Sequence, residues 1–333
     1  MKPQQYSTAL ETGIAGTGTH AIRLRDAKNA VEVSIVPALG NAAVAMTVHG
    51  KDILYFPESE GPDHRKMGGI PILAPWANRM DRLSLWANDR QYALQPKLGN
   101  IKIDPNGLPI HGLVWKQPWE VVEVAADMDS ARVTCRFDFS KRPDLMAQWP
   151  FAHDYEMTYR LSDGVLETRI TVSNRSAEPM PLSLGFHPYI RIPDVPRDRW
   201  QASIPARLHV VADSRLLPTG EFIPMSLPSP FPLAGFTLDD GFADLIRDES
   251  EMATFSIEAD HKKVEVVFGR KFEAAVVWIP ILAGEIPNFM CFEPMTGITN
   301  AINLHHDGKY PSLQFIPSDQ QWTESFWIRT SGI

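Results

Sequence analysis

Cysteine is scarce in this chain: its 333 residues include two, Cys135 and Cys291. Two cysteines make no disulfide framework, and neither stands in a CxxC or Cys/His spacing that would hold structural zinc. Both lie in alternating apolar segments and read as buried, reduced thiols. Long apolar runs are missing too. The most apolar stretch, Ala274 to Gly284, is interrupted by Pro280, whereas a membrane span needs about twenty residues. The opening MKPQQYSTALETGIAGTGTH lacks the unbroken apolar stretch of a signal peptide. We therefore expect a soluble, cytoplasmic protein with no membrane partner. Positive charge is in deficit, 32 Lys+Arg against 40 Asp+Glu for a formal net charge of -8. A nucleic-acid-coating surface needs a basic footprint and is excluded. No glycine-rich phosphate loop, GxSxG elbow or HExxH helix is present, which argues against nucleotide transfer, α/β-hydrolase chemistry and zinc proteolysis.

What is abundant is proline, 28 residues beside 21 glycines, spread along the whole chain and cutting it into short pieces. With 44% hydrophobic and 22% charged residues the chain can bury a large core, so wholesale disorder is excluded. The pieces alternate with a period of two. Val133, Cys135 and Phe137 face one way and Arg132, Thr134 and Arg136 the other. Tyr155, Met157, Tyr159 and Leu161 repeat the pattern, as do Leu166 to Val172, Val264 to Phe268, and Val31 to Ile35. Ser162-Asp163-Gly164 joins two such runs as a hairpin would. No amphipathic helix exceeds two or three turns, and no repeat marks a boundary. The expectation is one all-β domain over residues 1–333, a large antiparallel sandwich, with Pro218 to Pro232 as a long surface loop.

Four segments break the alternation and gather polar groups. Gly68 to Arg79 is stiff and apolar and ends on Asn78-Arg79, placing a guanidinium fork suited to hydroxyl or carboxylate oxygens. Such an Arg also commonly pairs with a surface acid. His111 lies between an apolar residue and Gly112, and His187 precedes Pro188, which fixes the backbone. A lone His in this setting is more often structural than catalytic, but two in matched contexts shorten those odds. Glu293 follows four apolar residues, at the end of a buried strand, where burial would raise its pKa. It could equally be a strand-end acceptor of N–H bonds. His305-His306-Asp307-Gly308 reads as a polar turn, and His153 as a strand start. Two histidines, a glutamate and an arginine among aromatics suit a sugar, with its apolar faces and hydroxyl rim. No cofactor or metal is implied.

As a set, GGIPILAPWANR, NGLPIHGLVW, WPFAHDYEMTYRLSDGVLETRITVSN, MPLSLGFHPYI and FEPMTGITNAIN resemble, in order, the motifs of the aldose 1-epimerase (galactose mutarotase) family. The resemblance runs from about Val31 past Asn303. It implies a galactose mutarotase-like supersandwich and interconversion of the α and β anomers of a free aldose. It makes Glu293 the base for the anomeric hydroxyl and His187 the acid for the ring oxygen, with His111 steadying charge there. Arg79 and Asn78 would hold the sugar, together with an Asp for which Asp239 fits by spacing and Asp240 is the neighbouring rival. The implied partner is a small sugar, and we expect a monomer or homodimer. Two alternatives stand beside this: a hexose-6-phosphate mutarotase using His64-Arg65-Lys66 and Arg82, and a carbohydrate-binding sandwich without turnover.

Overall fold

The computed structural model describes residues 5–12, 20–57 and 67–333. The alternating segments form the strands they predict, and they assemble into two large antiparallel sheets and a third of five strands. His153–Ser162 and Val165–Asn174 pair in register from His153↔Asn174 to Ser162↔Val165. Their turn is Asp163-Gly164, with φ of 46° and 75°. Two left-handed residues make the turn whose twist matches that of the flanking strands. The larger sheet has nine strands. It runs from Phe231–Pro232 at one edge through Gln201–Ser203, Ala253–Ala259, Lys262–Phe268, Gln321–Ser331, Val165–Asn174, His153–Ser162 and Ala131–Asp138 to Glu120–Ala126.

The second large sheet has eight strands. Its order is Pro218–Pro224, Ala206–Ala212, Leu238–Leu245, Ala274–Ile279, Met290–Met295, Gly185–Phe186 and Ile72–Leu73, and Tyr189–Ile190 pairs separately with Met290–Met295. The two sheets meet through aromatics, Phe255 against Phe292 at 5.3 Å and Phe186 against Phe326 at 4.9 Å between ring centroids. All four side chains are fully buried, and each such burial contributes about 1.5–3 kcal/mol. Val33, Ile35 and Met46 of the five-stranded sheet join the same apolar cluster. Both cysteines are buried free thiols. Among the described residues no helix is long and apolar enough to cross a membrane; the α-helices are the short Pro143–Met146 and Ala301–His306.

Three expectations are corrected. Pro218 to Pro232 is not a loop throughout: Pro218–Pro224 is a strand on Ala206–Ala212, and Phe231–Pro232 pairs with Gln201–Ser203. Both lie at sheet edges, where the N–H that proline lacks costs no ladder bond. His305 and His306 close the helix Ala301–His306 rather than forming a turn. His305 Nδ1 lies 3.0 Å from the Tyr310 carbonyl, and His306 stacks on Trp86 at 3.9 Å. Glu293 stands inside Met290–Met295 rather than at its end, because Pro294 and Met295 stay in register with Ala275 and Ala274.

Candidate active site

The period of two sorts Met290–Met295 into two faces. Phe292 enters the core between the sheets, so Cys291 and Glu293 must face away from it. Register then aligns Asp239, Trp278, Cys291 and Tyr189 in one row across four strands, with Val276 beside Glu293 in the next. Residues in register share a face, so this face collects Glu293, Asp239, Trp278 and Tyr189. Asp240, one residue along, takes the other face and sits 3.0 Å from His209 Nε2. The spacing admitted either aspartate; the pleat brings Asp239 into the cleft and leaves Asp240 out.

The remaining groups arrive on loops laid side by side. The Met80 N–H donates to the Pro109 carbonyl, the His111 N–H to Asn78, and the Ile110 N–H to Lys102. His111 is held at φ 66° and Asn78 at 54°, a left-handed conformation that costs a non-glycine residue about 1–3 kcal/mol when tertiary structure imposes it. Gly112, also left-handed, passes so close to Ala74 that a Cβ there would lie 2.1 Å from the Ala74 carbonyl oxygen. His187 is fixed by its N–H bond to the Pro71 carbonyl, by stacking on Tyr189 at 4.6 Å, and by edge contacts with His111 and Trp278 at 5.5 and 5.6 Å.

Together these enclose a cleft of about 230 Å³. That is below the usual range for drug-sized ligands and matches one monosaccharide better than a chain. Glu293, His187, His111, Arg79, Asn78 and Asp239 all line it. His187 Nε2 lies 3.2 Å from Glu293 Oε1, while Glu293 Oε2, His187 Nδ1 and His111 Nδ1 are buried with no hydrogen-bond partner among the described residues. Buried polar atoms are rarely left unpaired, and a cluster of them on one cleft marks a place built for a polar ligand.

Arg79 serves as a hub. Its Nε bonds Asp104 Oδ2 at 2.8 Å, one terminal nitrogen reaches Asp239 Oδ2 at 3.2 Å, and the other reaches Asn78 Oδ1 at 3.2 Å. Asp104 Oδ1 accepts the Asn106 and Leu108 N–H groups at 2.9 Å each. Burial raises the Asp104 pKa, but the Leu108 N–H and Arg79 outweigh it, and the net shift is downward. Arg79 thus pairs with acids, though inside the cleft rather than on a surface. Asp239 titrates above its ordinary value, chiefly through burial and against the pull of Arg79.

Glu293 is 1% exposed, His187 5% and His111 6%, so desolvation dominates their chemistry. Burial, with Asp239 adding, pushes Glu293 well above the usual carboxylate range, and Arg79 and Lys102 pull against it. Burial, then the charge of Lys102, holds both imidazoles below the ordinary range. These opposing shifts favour a hydrogen-bonded pair over a fixed ion pair. A pair of this kind can give a proton at one atom and take one at another. Among the described residues no group of three or more His, Cys, Asp or Glu is placed to hold a metal.

The profile of the aldose 1-epimerase family matches residues 21–329. The chain belongs to the aldose 1-epimerase family. Its architecture is shared with a galactose mutarotase-like protein from Clostridium acetobutylicum, with TM-score 0.86, 23% identity and 99% of each chain covered. A galactose 1-epimerase from Lactobacillus acidophilus NCFM aligns with TM-score 0.75 at 11% identity over 98% of this chain and 99% of that one. A GalM/aldose epimerase homologue from C. elegans gives TM-score 0.71 at 15% identity, over 91% and 96%. At such identities the likeness establishes the fold, a galactose mutarotase-like sandwich.

Sequence reading of this family member passed over Lys102, Asp104 and Trp278, which also line the cleft. Asp104 opens Asp-Pro-Asn-Gly, a sequence typical of ordinary turns, and Trp278 stands among the apolar residues of a strand. Lys102 carried no signal. Of the basic residues weighed for a phosphate, Arg82 lies in a separate cleft, bonded to Asp81 and Asp307, and His64-Arg65-Lys66 lie outside the described residues.

Proposed function

We propose that the protein interconverts the α and β anomers of an aldohexose whose anomeric hydroxyl is free. The observation that carries this is the buried Glu293–His187 pair, 3.2 Å apart, on a cleft of monosaccharide size. Family membership supports it. Glu293, as carboxylate, takes the proton of the anomeric hydroxyl while His187 gives one to the ring oxygen. The C1–O5 bond breaks and the free aldehyde forms. Rotation about C1–C2 presents the other carbonyl face, O5 attacks it, and both protons return to where they began. Each residue therefore acts once as acid and once as base in every turnover.

His111 donates a hydrogen bond toward the ring oxygen, and Arg79, Asn78 and Asp239 hold ring hydroxyls. Trp278 and Tyr189 offer apolar faces to the sugar's C–H surface. Charge separation in the pair is opposed by burial, and Arg79 and Lys102 offset part of that cost at Glu293. Following freshly dissolved α-glucose and α-galactose by polarimetry tests the reading. Equilibration well above the spontaneous rate is the expected result; no acceleration of any aldose would leave a sugar-binding protein without turnover.

A further inference from the structure

The cleft holds two basic side chains of different status. Arg79 is paired with Asp104 and Asp239 and bonded to Asn78. Lys102, in contrast, has no carboxylate partner among the described residues. Its ammonium lies 3.5 Å from Met67 Sδ and 5.5 Å from the centre of the Trp115 ring, while its main-chain carbonyl accepts the N–H of Ile110, the residue before His111. A half-buried ammonium on a ligand cleft carries a desolvation cost that a cation–π contact only partly offsets. Burial, then the charges of Lys116 and Arg79, lower its pKa against the opposing pull of Glu293 and Asp104, and a bound anion would oppose that shift further. A negative charge on the ligand would complete this corner of the cleft.

The position of that charge follows from the proton-transfer pair. With Glu293 at the anomeric hydroxyl and the two histidines at the ring oxygen, the nearest remaining substituent is the one on C5, namely C6. Lys102 stands one main-chain rung from His111. A phosphate there would bring nearly two charges and three acceptor oxygens, whereas a carboxylate brings the single charge that one ammonium balances.

We propose that Lys102 pairs with a C6 carboxylate, and that the favoured substrate is a hexuronate. This rests on the mutarotase reading above. The test measures anomer exchange by NMR for glucuronate, glucose and glucose 6-phosphate, with the wild-type protein, Lys102→Met and Lys102→Arg. Wild type should favour glucuronate over glucose in kcat/KM by roughly ten- to a hundredfold. Lys102→Arg should keep most of that ratio and Lys102→Met should bring it close to one. Equal use of glucose, preference for the phosphate, or an unmoved ratio in Lys102→Met overturns the proposal. Titration binding of the same three sugars separates it from the reaction. Glucuronate binding that Lys102→Met weakens, with no exchange of any sugar, would reject the reaction and keep the site; binding without discrimination would reject the site. Thermal melts confirm that the variants are folded.

Discussion

His153 and His187 are both buried histidines whose imidazoles are held neutral mainly by desolvation, His153 with its pKa lowered to about 4. His153 begins a strand of the nine-stranded sheet, with Nδ1 2.6 Å from the Phe151 carbonyl and its ring stacked on Phe139 at 4.2 Å. Around it are aromatics, and the side chain is fully buried. His187 has equally firm aromatic neighbours, but its Nε2 points at a titratable carboxyl, and both groups line a cleft. A depressed pKa therefore records burial in each case. What the ring faces sets His187 apart.

Breaking each histidine should separate the two roles. Glu293→Gln and His187→Asn should each lower the enzymatic mutarotation rate by roughly 10²–10⁴-fold, with melting temperatures close to wild type, as read by polarimetry beside thermal melts. His153→Ala should do the reverse, keeping the rate and costing about 1–3 kcal/mol in urea unfolding. Loss of turnover in a folded His153→Ala would erase the distinction. A finer version uses the two adjacent aspartates: Asp239→Asn should raise KM about tenfold by weakening one charged hydrogen bond, and Asp240→Asn should leave it within about twofold.

The pH profile sharpens the comparison further. In the proposed mechanism the pair carries one proton and titrates as a unit. A second proton must enter with His187 held below the ordinary imidazole range, so the acid limb of kcat/KM falls below about 6.5. The pair's last proton leaves with Glu293 held above its ordinary value, so the basic limb lies above the usual glutamate range. A single limb centred near 6.5 would show an ordinary exposed imidazole instead.

The sandwich was legible because its strands alternate: Val133 to Phe137 and Tyr155 to Leu161 announce a sheet with one face buried. His111, His187, Arg79 and Glu293 stood out because glycine, proline and apolar neighbours interrupt that alternation around them. What stayed hidden depends on tertiary register. Nothing local separates Asp239 from Asp240 until their strand pairs with Ala274–Ile279. Nothing local gives Lys102 a role until its ribbon lies beside His111. Likewise the net charge of -8 is a property of the whole molecule, whereas the cleft is lined by Arg79 and Lys102.

The central claim is that Glu293 and His187 work as one proton-sharing pair. The measurement that addresses it most directly is the rate of anomer exchange in Glu293→Gln/His187→Asn set beside the two single variants. Groups that act as a unit are strongly non-additive, so the double variant should be about as slow as the slower single one. A double variant slowed by the product of the two separate losses, or a Glu293→Gln protein that turns over at nearly the native rate, would contradict the account.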